Sequence, residues 1–153
     1  MLKNLFPKTI TNNYCGAPTA KWVFVAITVL TIGRSLTHIL LPDGGAQSIA
    51  TIPLDDFTAN GAAAVIHIFA LWGLSQLMFG LLYALVLWRY QALIPLMWLF
   101  IMIEYGGRLL LTFAKPFEIV GTAPGAVGNY VFILLALIML VLSLREMQHD
   151  KTL

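Results

Sequence analysis

Charge is what this chain has least of. Only 10% of its 153 residues are Asp, Glu, Lys or Arg, while 59% are hydrophobic. A soluble domain carries about 25% charged residues, so water cannot be the main solvent here. The net charge of +2 is small, and no basic run is present, which excludes nucleic acid as a partner. Cysteine is nearly absent too. Cys15 stands alone, so no internal disulfide can form, and no Cys or His lies near it at metal spacing. Hydrolase and phosphate-loop motifs are missing: Ser35 and Ser75 have no elbow around them, and Gly44-Gly45 is a turn pair. No C-x-x-C-H occurs. The alternating ten-residue segments of a membrane β-barrel are also lacking.

What is present is long apolar runs. A spanning helix needs about 20 mostly apolar residues, and four stretches qualify: 20–41, 60–88, 92–114 and 125–144. In lipid each backbone polar group needs an internal partner, so these runs are helical. The fold class is therefore all-α, an integral membrane four-helix bundle over 20–145, flanked by an N-terminal segment 1–19 and a tail 146–153. Residues 1–20 are mixed and polar, with Lys3, Pro7, Lys8, Asn12 and Asn13. The first apolar run starts at Trp22 and is long enough to span, so it reads as a retained helix, not a cleaved signal.

Lys and Arg in short loops set orientation. Lys3, Lys8, Lys21, Arg89, Arg145 and Lys151 fall on one side; the other has Lys115 with Asp43, Asp55, Asp56 and Glu118. Both termini are expected in the cytoplasm, with the two longer loops, rich in Pro and Gly, outside. The link between spans two and three, Arg89–Gln91, predicts a tight antiparallel hairpin.

A short repeat is visible. Gly33-Arg34 and Gly107-Arg108 are each followed by a proline eight residues after the arginine, at Pro42 and Pro116. This gives either a parallel two-plus-two helix repeat or a recurrence of residues that helix ends favour.

Charged groups at membrane depth are costly, and are either paired or functional. Arg34 and His38 share a face of span one, and Glu104 and Arg108 a face of span three, because residues four apart are neighbours on a helix. At 1.5 Å per residue the arginines lie roughly 12 Å below their prolines and His67 about 10 Å into span two. Glu104 lies near the midplane. All sit in the outer half, so one outward-opening polar pocket is expected, lined by Arg34, His38, His67, Glu104 and Arg108. Ser75 and Gln76, in the inner half, are neutral. The face of Gly73, Gln76 and Gly80 suits close helix approach with a hydrogen bond, within the bundle or towards a homodimer or a larger membrane complex.

Several uses of this pocket stay open. The charges can simply pair with one another, or with aspartates of the first loop. Two arginines against one glutamate leave positive charge for a lipid head group or small anion. His38 and His67, on adjacent spans, have the composition of a bis-histidine haem site. A quinone beside Tyr105 or Trp72 is another option. Glu104 with His67 could couple protons to transport. No catalytic residue and no metal site is assigned, and no cofactor is required.

The segments NGAAAVIHIFALWGLSQLMFGLLYALVLWR (Asn60–Arg89) and EYGGRLLL (Glu104–Leu111), followed by a Pro/Gly loop and a last apolar helix, resemble the small four-helix bacterial membrane proteins of the DoxX-like type. The likeness covers about two thirds of the chain. It implies a multi-pass protein of a bacterial inner membrane, acting as an accessory or ligand-binding subunit. Some members accompany quinone-linked oxidoreductases. The arginine after glycine matches Arg108; the Arg34/His38 pair has no counterpart in the pattern.

Overall fold

Prolines start three of the four long helices. Pro18, Pro95 and Pro124 each stand in the first helical positions, where a missing N–H costs nothing and φ is already helical. A computed structural model of the chain describes residues 2–117 and 119–145. Glu118 and the tail 146–153, with Lys151, lie outside the described residues.

After a short helix α1 (Leu2–Leu5) come α2 (Pro18–Leu40), α3 (Ala59–Arg89), α4 (Ile94–Ala114) and α5 (Pro124–Leu144), with no strand among the described residues. α3 is capped by Thr58, whose hydroxyl accepts from the Gly61 amide at 3.2 Å. Each of α2 to α5 is long and apolar enough to cross a membrane, and the protein is a multi-pass integral membrane protein with a helical-bundle fold. The helix limits fall within two residues of the predicted spans. The first begins at Pro18, not Ala20, because its proline opens it. A 3-10 turn at Gln91–Leu93 leads into α4.

The helices do not form a closed ring. α2 packs along α3, α4 along α5, and α2 also touches α5; α3 and α4 touch little, although the link between them is tight. The bundle is thus two hairpins with a gap on the α3/α4 side. The α2/α3 seam is close because it is built on glycine. A Cβ on Gly73 would stand 2.7 Å from the His38 Cβ, and one on Gly80 2.7 Å from Ile32.

At the end of the bundle that carries the chain termini, the core is aromatic and dry. Phe24, Tyr83 and Trp98 are buried, with Phe24 ring centroids 5.3 Å from Tyr83 and 5.7 Å from Trp98. Trp98 Nε1 donates to the Ala20 carbonyl at 3.3 Å. Between helices in lipid such contacts act mainly by dispersion. The N-terminal segment ties down here: the amide of Ala17 donates to Leu142, and that of Ala92 to Thr11.

At the opposite end the first loop folds over α2 and α3. Ala46, Ile52 and Leu54 are buried against Val65, Ile66 and Phe69. Asp43 organises the turn, accepting from the amides of Gly45, Gln47 and Ser48 at 2.9, 3.2 and 2.7 Å. Burial raises its carboxyl pKa, but these amide donors outweigh burial and hold it down to about 2. Gly44 and Gly45 take positive φ, as does Thr51 at 58°. Thr51 meets the second loop: its carbonyl accepts from the Val120 amide at 3.1 Å, and its hydroxyl donates to the Gly121 carbonyl.

Candidate functional site

Three of the five predicted pocket residues come together. Arg34 on α2 reaches across the bundle: Nη2 donates to Gln76 Oε1 on α3 at 2.5 Å, and Nη1 to the Tyr105 hydroxyl on α4 at 3.2 Å. Gln76 Nε2 donates to Glu104 Oε1 on α4 at 2.7 Å. Arg108, one turn further along α4, forms an ion pair with the same Glu104 oxygen. A single polar chain, Arg34–Gln76–Glu104–Arg108, therefore ties α2, α3 and α4 together. Glu104 lies midway along α4, so the chain crosses the region where lipid offers no polar partner.

Two aromatic rings complete it. Arg108 lies 4.9 Å from the Trp72 centroid and 5.0 Å from that of Tyr105; Arg34 lies 5.9 and 6.0 Å from the same two rings. Both arginines of the sequence repeat thus end over one Trp–Tyr pair. Cation–π contact strengthens as the cation is desolvated, which offsets part of the cost of one unbalanced positive charge. Arg34 Nε is buried without a partner.

The two histidines stay off the polar chain. His38 is buried, but its Nδ1 bonds the Gly44 carbonyl at 2.7 Å. Its ring packs on Phe69 and Trp72 at 5.8 and 4.6 Å. It anchors the first loop. His67 is on the exposed surface of α3, with no hydrogen bond among the described residues. Neither joins the polar chain. The first-loop aspartates do not reach Arg34 either, since Asp43 is committed to its own turn and Asp55 accepts from Gln47.

Gln76 is the residue that reasoning from charge passes over. The sequence offers it as a hydrogen-bonding group on a helix contact face, apart from the charges; in the structure it is their hub, since its amide accepts from Arg34 and donates to Glu104. The available signal was its place between Gly73 and Gly80 on the buried stripe of α3. A polar side chain on a glycine-lined contact face needs partners from the neighbouring helices.

The site also opens differently from the expected outward pocket. The α3/α4 gap holds a cleft of 390 Å³, lined by Trp72, Ser75, Gln76, Phe79, Tyr83, Phe100, Ile103 and Glu104. Every lining residue lies within α3 or α4, both long and apolar enough to cross a membrane. Ser75, Phe79, Phe100 and Ile103 are exposed at its mouth, so the mouth faces sideways, where lipid would be. Its walls are aromatic, its floor is Gln76 and Glu104, and the guanidinium groups stand behind the floor.

No family model matches the chain, and neither a curated protein nor a solved structure shows significant similarity to it.

Proposed function

We propose that this protein is a non-catalytic membrane binder that holds a lipid-soluble molecule with a polar head, of the quinone or lipid class, in the α3/α4 cleft. The observation that carries this reading is the cleft itself. It has the size and make-up of a ligand site, a few hundred Å³ of apolar and aromatic wall with a small number of convergent polar groups. Its mouth opens along the side of the bundle, so a ligand enters from the bilayer. The likeness to the DoxX-like proteins agrees with a small accessory or ligand-binding subunit. In this reading the protein sits in a bacterial inner membrane with both termini cytoplasmic, alone, as a homodimer or within a larger complex.

The alternatives draw less support. A small anion entering the cleft would meet the Glu104 carboxylate first, since the arginines lie behind it. Haem bracketed by His38 and His67 has one buried and one exposed ligand, neither at the polar chain. Proton coupling through Glu104 and His67 lacks any link between them.

The test is binding of a decyl-tailed benzoquinone to the purified protein in phosphatidylcholine nanodiscs, followed through quenching of tryptophan fluorescence, with Trp72 in the cleft wall. Saturable quenching is expected, weakened at least about tenfold in Ser75→Phe or Ile103→Phe, which fill the mouth (a loss of about 1.4 kcal/mol). Quenching that never saturates, or that is identical in the filled variants, would overturn it.

A further inference from the structure

The hydrogen bonds of the cleft floor restrict the head group further, given the binding reading above. Both internal donors that reach Glu104, Gln76 Nε2 and Arg108 Nη2, end on Oε1. Oε2 accepts from no group among the described residues. The Glu104 side chain is 33% exposed and lines the cleft. Gln76 has its carbonyl on Arg34 and one of its two amide N–H groups on Glu104. Ser75 donates its hydroxyl proton to the Leu71 carbonyl at 3.1 Å. The Tyr83 hydroxyl can donate or accept. The strongest unused group at the floor is therefore a carboxylate oxygen, which only accepts.

Charge decides the rest. An anionic head would face that carboxylate. A cationic head would add to a cluster that already holds two arginines against one glutamate. A carbonyl oxygen would set acceptor against acceptor at Oε2 and would have only the neutral Tyr83 and Gln76 donors to turn to. The head that satisfies the charged acceptor is a neutral donor. The walls then select its shape, because Trp72, Phe79, Tyr83 and Phe100 offer ring surfaces to a flat ring.

We infer that the cleft takes a neutral ring hydroxyl, a lipid-soluble phenol or hydroquinone, whose O–H donates to Glu104 Oε2.

Three probes with one decyl tail test this on the wild-type protein in nanodiscs: the hydroquinone kept reduced under nitrogen, the matching quinone, and the hydroquinone dimethyl ether. A hydrogen bond to a charged acceptor predicts that the hydroquinone binds at least about tenfold tighter than either of the others. In Glu104→Gln, whose amide both donates and accepts, the preference falls to within about threefold. The ether comparison needs no mutation, so the inference is tested even if Glu104→Gln does not fold. If all three probes bind alike and saturably, the donor assignment falls while the binding reading stands. If none saturates, both fall. Stronger binding of decylammonium or decanoate than of the hydroquinone would overturn the charge argument.

Discussion

The two ends of this bundle are held in different ways. Near the termini, Phe24, Tyr83 and Trp98 pack ring against ring, and among the described residues their only polar tie is one indole N–H on a backbone carbonyl. Towards the loops, four polar side chains from three helices are chained together beneath a Trp–Tyr pair. Packing tolerates loss by partial collapse. A charge network in a low-dielectric medium does not, because removing one member strands another. A bundle meant only to be stable would be better served by apolar side chains throughout. The network sits beside the cleft, which ties it to the proposed ligand site.

The largest expected effect follows from stranding. Glu104→Leu leaves Arg34 and Arg108 without their carboxylate, and is expected to cost about 3–5 kcal/mol in detergent unfolding. Tolerance of this change would break the contrast between the two ends. Trp98→Ala is expected to cost less, about 2–3 kcal/mol, since between helices in lipid the lost term is dispersion without water exclusion. Hydroquinone affinity is expected to change by less than about threefold, and a larger loss of binding would show that the core governs the cleft through Tyr83, which belongs to both.

The four helices were legible because length and hydropathy alone decide a span. The convergence of Arg34, Glu104 and Arg108 was legible from cost, since lipid cannot solvate them. The histidines were not, because a polar residue at depth has two exits. His38 took a backbone carbonyl from a loop that folds back over it, and His67 faces away from the bundle. Sequence spacing cannot see a returning loop. The cleft was hidden for a related reason. The tight Arg89–Gln91 link suggested that α3 and α4 pack together, but α3 packs on α2 and α4 on α5, and the gap between them holds the cleft.

Glycines give a finer test of those packing partners. Gly73→Ala puts a methyl against His38 Cβ and the Ser35 carbonyl, 3.1 Å away. Overpacking of this kind costs about 1–3 kcal/mol. Gly107→Ala meets nothing within 4 Å, so its effect should stay within about 0.5 kcal/mol. Equal costs at the two positions would mean that the α2/α3 seam is looser than it is drawn here, or that Gly107 lies against a second protein.

The smallest effect belongs to the first loop, which roofs His38. Its turn depends on the Asp43 carboxylate. The folded pKa of about 2 lies below the ordinary 3.8, so this carboxylate stabilises the loop at pH values above about 4. The contribution is lost as the pH falls through 2. Asp43 is only partly buried, and solvent screens much of the effect. The expected readout is therefore local. Amide exchange over residues 43–50 should stay slow from pH 7 down to about 4, once corrected for intrinsic rates, and lose protection below that. Asp43→Asn should show the unprotected pattern at pH 7, while the amides around Trp98 remain unaffected in both. Loss of protection at both ends together would show that the loop and the aromatic core open as one unit.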